Sequence, residues 1–581
     1  ENDYGSRLHM ISLGQGQGPK AEQLIKQGQE SGDWVCLQNC HLAASWMPAL
    51  ERLLETQDPD NIDDMYRLWL TSMPSSSFPV PVLQSGIKIT NEPPKGLRAN
   101  MTRTFQDITP EIYEGCQKPR EFKKLLFCLA FFHAAILERR KFGPIGWNIP
   151  YEWMDSDFQV SREQVHMYLE SQPGVPWVTL NYIIAEVNYG GRVTDDKDVR
   201  LISAFLKRYF NEAVLEDGFK LSALDTYFVP NEGDLEDVRS FIKTLPFDDD
   251  PEIFGLHANA LIIAQASQAR AYLDTVVSMQ PRQSSGSGGK KPEEICEEML
   301  QTFLPRIPEP LNKKNAHEET YRRTPEGGIV SLGVFHGQEV DRFNLLINLV
   351  QSSMVSLSKA LKGLVVMSAQ LEEMFTSFLA QKVPPLWMEE AYPCLKPLNS
   401  WMADFEARVA FMGGWLQDGP PASFWLSCFY FPQGFMTAAM QVHARKTQIP
   451  IDTLMFWTEP TRIEDASRAK PPADGVNIHG LFLQGARWEP NKALMAESHK
   501  GVLFCELPVI CMTPLTVEEF TKRSEAGGRY KCPLYKTSER RGTLSTTGHS
   551  TNFVTYHFLP CQEDGDHWVR RGVALLCMLD D

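Results

Sequence analysis

The sequence has no Cys-x-x-Cys pair, although 12 cysteines are spread from Cys36 to Cys577. That spacing offers no zinc finger and no dithiol redox motif, and it suits a reducing compartment. No apolar run reaches the about 18–20 residues that a membrane span needs. No block of Lys and Arg stands out. With 57 basic against 73 acidic side chains the net charge is −16, which argues against nucleic acid or an anionic membrane as partner. The densest basic run, Glu138-Arg-Arg-Lys141, falls at the end of an expected helix. A complete phosphate loop, G-x-x-x-x-G-K-[ST], is also missing. Gly14-Gln-Gly-Gln-Gly-Pro-Lys20 has Pro19 at the second glycine and Ala21 at the hydroxyl position. Ser284-Ser-Gly-Ser-Gly-Gly-Lys290 starts on Ser284 and continues into Lys291. Neither can wrap a phosphate in backbone N–H groups and supply a Mg²⁺ hydroxyl. Asn100-Met-Thr102 matches a glycosylation sequon but follows no signal peptide, so it reads as chance.

What is there is a soluble composition, 43% hydrophobic and 22% charged, in 581 residues. That length predicts three or four domains. The sequence opens on Glu1 and reads as a piece of a longer polypeptide. Residues 1–105 read as α/β. A helix over Ala21–Ser31 precedes a strand, Trp34–Leu37, and a helix around Met47–Thr56 follows. Strands at Tyr66–Thr71 and Gly86–Thr90 bracket a Pro/Ser-rich loop, Pro74–Pro81. Near-continuous apolar strands between helices predict a parallel sheet covered on both faces. Residues 106–262 read as helical, with Phe122–Leu137 apolar almost all round and so central. Two more helices are expected over Val178–Glu186 and Lys197–Tyr209.

Gln283–Pro292 reads as a flexible Gly/Ser linker. Helices are then expected over Asp341–Lys382, Leu398–Leu416 and Pro432–Ala444, within residues 263–450. In the first, Leu345, Leu349, Ser352/Ser353, Ser356, Ala360, Leu364 and Met367 suggest the amphipathic face, and Gly363 a kink or break. Residues 451–581 change to short strand-like pieces at Thr453–Trp457, Gly475–Leu483, Val502–Met512, Asn552–Phe558 and Val573–Leu579. They predict an antiparallel sheet or small barrel.

Few residues suggest chemistry. The strand Trp34–Leu37 ends in Gln38-Asn39, where a P-loop ATPase often places Asp-Glu. Amides do not titrate, so this pair cannot activate water, although it can hold one. Cys36, Cys40 and His41 lack a second cluster at zinc-like spacing and read as core and turn residues, so no metal is expected. Gly542–Asn552 collects hydroxyls and His549 without a nucleophile elbow, and reads as a polar turn. Arg98, Arg103 and Arg192 flank structured segments. In a ring of ATPase modules such arginines can reach a neighbour's phosphates, and elsewhere they form ion pairs. Trp387, Trp401, Trp415 and Trp425 read as core or interface anchors.

Longer blocks carry a resemblance. Trp34-Val-Cys-Leu-Gln-Asn-Cys-His-Leu-Ala-Ala-Ser-Trp-Met47, Leu70–Val82 and Asn91–Asn100 resemble the last AAA+ module of axonemal dynein heavy chains. The likeness continues through Arg139–Tyr151, Ile184–Asp196, Lys359–Met367, Ile478–Trp488 and His567–Leu575, nearly the whole length. The sequence departs from the family at Gly255–Ala260, where relatives often carry Glu and Asp, and the Gly542–Asn552 turn resembles inner-arm types.

The resemblance implies a multidomain fold. A degenerate, P-loop-like sixth AAA+ large domain lacking its first strand would occupy 1–105, and an all-α lid 106–262. A C-terminal domain would follow, helical over 263–450 and an antiparallel β-barrel over 451–581. It implies a non-catalytic, ring-closing and regulatory part of a minus-end-directed microtubule motor that drives cilia and flagella. Gln38 and Asn39 become degenerate Walker-B-like positions, and Arg98, Arg103 and Arg192 candidate ring-interface residues. No cofactor is implied here; ATP and Mg²⁺ would sit in preceding modules. Implied partners are those modules and the linker, the microtubule, and intermediate and light chains, in the cytoplasmic cytoskeleton of the axoneme, with no nucleic acid or membrane. Two other readings are a module that binds nucleotide without hydrolysing it and a stand-alone ligand-binding barrel.

Overall fold

The computed structural model describes residues 7–580 except 14–15, 59–60, 76–77, 91, 232, 280–290, 326 and 544–549. Most of the linker expected over Gln283–Pro292 and most of the Gly542–Asn552 turn therefore lie outside the described residues, while Pro292 opens a helix. Contacts divide the protein into two units, residues 1–93 and 94–581. None of the helices is long and apolar enough to cross a membrane, among the described residues.

The first unit is built on a three-stranded parallel sheet of β1 (Leu8–Ser12), β2 (Trp34–Gln38) and β3 (Arg67–Leu70), in that order. Helices α1 (Gly18–Ser31), α2 (Met47–Glu55) and α3 (Val80–Ser85) accompany it. Pro19 opens α1, where its missing N–H is harmless, and Gly32 at φ 73° ends it in the left-handed region. Val35 and Leu37 point into a core with Ala21, Ile25 and Leu50. Gly28 lets α1 approach: a Cβ there would meet the Val35 side chain at 2.8 Å.

Two expectations fail here. Gly86–Thr90 is not a strand, and the third strand is Leu8–Ser12 instead. Ile87 and Ile89 are 94% and 72% exposed, so that alternation had no core to face. Within this unit, among the described residues, the sheet also packs its core against one face only. Met10, Cys36 and Trp69 stand in register on the side away from the core, and Met10 is 63% exposed. Trp34 and Trp69 pack ring to ring on that open face at 5.7 Å.

The second unit begins with helices α4 (Leu97–Gln106), α5 (Pro110–Glu114), α6 (Pro119–Arg139), α7 (Asp155–Ser171), α8 (Trp177–Tyr182), α9 (Asp196–Leu206) and α10 (Leu235–Thr244). The 21-residue α6 is the hub: its Phe122, Leu125, Leu129, Phe132 and Ile136 are all buried, as its all-round apolarity predicts. Each such side chain contributes about 1.5–3 kcal/mol. After α8 the helix widens into a π-helical turn over Ile183–Asn188.

Helices α11 (Asn259–Met279), α12 (Pro292–Phe303), α13 (Ser331–Leu361), α14 (Ala369–Leu379), α15 (Pro385–Glu390), α16 (Leu398–Asp418) and, after strand β4 (Phe424–Trp425), α17 (Pro432–Thr447) come next. The 31-residue α13 buries a different face from the one expected. Leu345 is 62% exposed, whereas His336, Val340, Phe343, Ile347, Val350, Met354 and Leu357 are buried. Those seven recur at alternating spacings of three and four, the period of a helix seam. The reading anchored on Leu345 and Leu349 is one ridge away. Gly363, at φ 72°, ends the helix: its N–H bonds Ala360 and the Leu364 N–H bonds Lys359, the paired bonds of a Schellman cap. The Ser368 hydroxyl then caps α14, accepting from the Leu371 N–H at 3.3 Å.

Strands β5 (Leu454–Pro460), β6 (Val476–His479), β7 (Phe482–Gln484), β8 (Arg487–Glu489), β9 (Leu494–Ala496), β10 (Phe504–Glu506) and β11 (Ile510–Thr516) follow. After them come α18 (Val517–Glu525), β12 (Arg529–Tyr535), β13 (Phe553–Pro560), α19 (Gly565–Arg570) and β14 (Ala574–Leu576). They form a five-stranded sheet, β10-β7-β14-β12-β13, a four-stranded sheet, β4-β6-β11-β5, and a ribbon, β8-β9. Most pairs are antiparallel; β12–β14 and β4–β6 are parallel. The expected barrel does not close among the described residues. Where β5 meets β13 no ladder of backbone pairs is formed among the described residues, and the contact runs through side chains and one backbone N–H. The Phe558 N–H donates to the Thr458 hydroxyl at 3.0 Å, and Trp457 stacks on Phe558 at 6.0 Å.

Helices and strands of this unit share one apolar core, running from Leu97 to Met578. Arg139, fully buried at the end of α6, crosses it. Its guanidinium donates to the carbonyls of Gly146 at 2.8 Å, of Phe254, and of Arg570 at 2.8 Å. Replacing it leaves buried carbonyls from three segments, two of them distant in sequence, without donors, each worth about 1–3 kcal/mol. Arg139→Met is therefore expected to lower the unfolding free energy by about 3 kcal/mol or more in urea titration. Arg139→Lys, with no planar fork, should recover little of it.

Candidate functional site

The carboxyl ends of parallel strands are where α/β folds bind ligands, because loops diverge there. In the first unit Ser12, Gln38-Asn39 and Thr71 meet at that edge. Asn39 leaves β2 at φ 58°, a left-handed conformation that Asn tolerates. Its amide donates to the Ser12 hydroxyl at 3.1 Å and its backbone N–H to the Thr71 hydroxyl at 3.2 Å. The Gln38 amide reaches the Met10 sulfur at 3.9 Å, on the open face. All of these groups are neutral and hydrogen-bond only; they can hold a water but cannot take its proton. Across this unit, the Trp46 ring lies against the first turn of α1. A Cβ on Gly18 would meet Trp46 Cδ1 at 2.5 Å, and the Trp46 indole N–H donates to Glu22 at 3.0 Å. That is the helix start where a phosphate loop would present its N–H groups.

Among the described residues, Cys36, Cys40 and His41 are not brought together as a cluster of donor atoms within 4.8 Å of one another. Burial pushes the Cys40 thiol up to about 11 and it points to the Leu37 carbonyl at 3.5 Å. His41 Nδ1 accepts from the Met73 N–H at 3.2 Å. Trp387, Trp401 and Trp415 are buried, with Trp387 stacked on Trp401 at 5.4 Å.

The three arginines lie in the second unit, each with a partner. Arg98 donates to the Leu245 carbonyl at 3.2 Å and sits over the Phe247 ring at 4.0 Å. Arg103, on the same helix, pairs with Asp155 at 2.8 Å. Arg192 holds Asp157 with two bonds, at 2.9 and 3.2 Å. Arg103 and Arg192 thus converge on the first turn of α7, and Arg98 does not.

A buried polar junction between the helices and the C-terminal strands was not visible in the sequence. Asn148 donates to Asp195 at 3.2 Å and to the Tyr535 hydroxyl at 2.7 Å. Asp198 accepts from the backbone N–H groups of Asn148 and Ile149, at 3.1 and 3.2 Å. Burial, then the neighbouring Asp195, push its carboxyl up to about 7. Buried Arg540 bonds Gln484 at 2.6 Å and the Gly572 carbonyl at 2.7 Å. Nearer the surface, Arg571 pairs with Glu252 at 2.6 Å and Glu497 at 3.0 Å, and His567 shares Glu497 at 2.7 Å. The sequence signal was the polar run Val193-Thr-Asp-Asp-Lys-Asp198, but its partners are distant: Asn148 and Ile149 for Asp195 and Asp198, and Tyr556 for Asp196.

Three family descriptions match: "Dynein heavy chain region D6 P-loop domain" over residues 1–90, "Dynein heavy chain AAA lid domain" over 122–260, and the C-terminal domain of dynein heavy chains over 266–577. Among curated relatives, human dynein axonemal heavy chain 6 is 43% identical, over 100% of this chain and 14% of its own length. Human dynein axonemal heavy chain 1 is 45% identical over 100% of this chain and 13% of its own. Human dynein axonemal heavy chain 3 is 45% identical over 99% and 14%. The protein thus spans about one-seventh of the length of these relatives.

Two outcomes follow from this geometry. Asn39→Val puts a β-branched side chain at positive φ and drops the Ser12 bond, and should cost about 2 kcal/mol. Asn39→Gly loses only the bond and gains an easy φ, and should stay within about 1 kcal/mol. Both are read by denaturant unfolding of the first unit. Asp198 binds its proton more tightly folded than unfolded, so its contribution is present below pH about 4 and is lost as pH rises towards 7. Raising pH from about 5 to about 8 should therefore lower the urea midpoint. Asp198→Asn should flatten that slope.

Proposed function

The protein belongs to the dynein heavy chain family, and from that premise we propose that it is a non-catalytic, ring-closing and regulatory portion of an axonemal heavy chain. The observation that carries this is the strand-end site. Asn39 bonds Ser12 and Thr71 there, beside Gln38, and no carboxylate stands among them. In the heavy chain as a whole, ATP and Mg²⁺ bind and turn over in preceding modules, and the motor moves on microtubules in the axoneme of cilia and flagella. Intermediate and light chains are its further partners, in the cytoplasm's cytoskeletal fraction. The likeness of the Gly542–Asn552 turn points to an inner-arm type.

In this reading, residues 1–105 are the degenerate large domain, 106–262 the lid, 263–450 the helical part of the C-terminal domain and 451–581 its barrel-like wall. The abutting β5 and β13 support the last assignment. The open face of β1–β3, with Met10 and Trp69, supports packing against a neighbouring module. Arg98, Arg103 and Arg192 belong to the ring interface; with partners already in place, they act by ordering α4 and α7 more than by reaching a phosphate. The shared core and the Arg139, Asp198 and Arg571 contacts make lid and C-terminal domain one body. A displacement of the lid is then carried to the C-terminal domain without loss.

The test is phosphate release by the purified 581-residue protein with Mg²⁺-ATP. Turnover at buffer background is expected. Turnover above it that Gln38→Ala or Asn39→Ala abolishes would overturn the reading. Calorimetric titration with ATP separates an inert module from one that binds without hydrolysis, since only the second gives saturable heat.

A further inference from the structure

One cluster of donors takes no part in the strand-end site or the buried junction. Cys116 follows α5, while His166 and Glu170 stand one turn apart on α7. The Cys116 sulfur, a His166 ring nitrogen and a Glu170 carboxylate oxygen all lie within 4.8 Å of one another. We propose that Cys116, His166 and Glu170 form a binding site for a divalent cation of the zinc class.

The donor set selects the ion. Thiolate, imidazole and carboxylate together suit Zn²⁺, whereas Ca²⁺ and Mg²⁺ require oxygen. An i, i+4 pair projects both side chains from one helix face. His166 Nε2 and Glu170 Oε1 are 3.6 Å apart, too long for a hydrogen bond. Two ligands at about 2.0–2.2 Å on one tetrahedral ion would stand about 3.4 Å apart, so the His166–Glu170 pair needs little movement, and the Cys116 sulfur within 4.8 Å closes in on them. The third donor comes from a separate segment, which makes the site tertiary.

The surroundings hold these groups in place. Phe122 packs edge-on against the His166 ring at 5.3 Å and sets its plane. The Lys118 ammonium donates to the carbonyls of Leu169, at 2.7 Å, and Gln172, tying the end of α7 to the segment that carries Cys116. Burial pushes the Cys116 thiol up, and the Lys118 backbone N–H acts against that, so the ion itself must draw off the proton. The Glu170 and Glu121 carboxylates attract a cation there, and the Lys118 ammonium acts against them. Binding releases the Cys116 proton to solvent as the Zn–S bond forms, with no change of oxidation state. Three protein donors leave a fourth position for water.

The experiment is titration of the full 581-residue protein, freed of metal, with Zn²⁺, followed by calorimetry. Co²⁺ is the spectroscopic probe for a thiolate-to-metal charge-transfer band. One equivalent is expected, with the Co²⁺ band. Cys116→Ser and His166→Gln should each weaken Zn²⁺ binding by more than the about tenfold that even an outer-shell partner is worth. Cys505→Ser, elsewhere in the protein, should leave stoichiometry and affinity unchanged. Circular dichroism confirms that the variants keep their helices, and Glu170→Gln, on an exposed side chain, gives a readout free of folding effects. Absence of binding by the unaltered protein, or binding kept at full strength by Cys116→Ser or Glu170→Gln, overturns the proposal.

Discussion

The second unit depends on a cation that cannot be hydrated. Arg139 ends the long buried helix α6, and its company is carbonyl oxygen and aromatic rings. Burial lowers its pKa to about 9, which leaves it charged at neutral pH. A charge in such a place is tolerated only if it is hydrogen-bonded on several sides. Here the bonds come from the turn after α6, from the end of the helical segment at Phe254, and from Arg570 just before the last strand. The three segments must therefore arrive together. The shared apolar core supplies the bulk of the burial energy, and Arg139 sets which parts may share it.

Arg408 repeats the device deeper in the C-terminal region. It bonds the Ser427 carbonyl and Asp404, and it lies over the Tyr392 ring at 3.8 Å. Planar guanidinium groups suit this work, because one side chain serves several acceptors and still stacks on aromatic rings. The consequence is structural: buried polar groups tie helical and strand regions to one another.

The first unit shows the complementary constraint. A parallel sheet needs its strand ends satisfied, and here hydroxyls and amides do so among themselves. Ser12, Asn39 and Thr71, which make those bonds, and Gln38 beside them carry no carboxylate or imidazole to act as a base. The side chains at these positions close the loops around Asn39 and Trp46. The fold's shape survives without an acid and base, because shape depends on Val35, Leu37, Ala21 and Ile25 rather than on the strand-end residues.

Residue order was enough to place the helices with unbroken apolar texture, the succession of α/β, helical and strand regions, and the lack of an acid at Gln38-Asn39. These are local properties, written in period and residue type. It misplaced the seam of α13, because Leu345 and Val340 obey the same period and only the neighbouring helices choose between ridges. It also suggested a strand at Gly86–Thr90 and overlooked Leu8–Ser12, since five residues of alternation mean nothing until a partner strand is present. The fates of Arg98, Arg103 and Arg192, the Asp195–Asp198 junction and the meeting of Cys116 with His166 emerged only on folding. Each joins residues tens to hundreds of positions apart, and hydrogen bonds or ion pairs of that reach leave no periodic trace in the polypeptide.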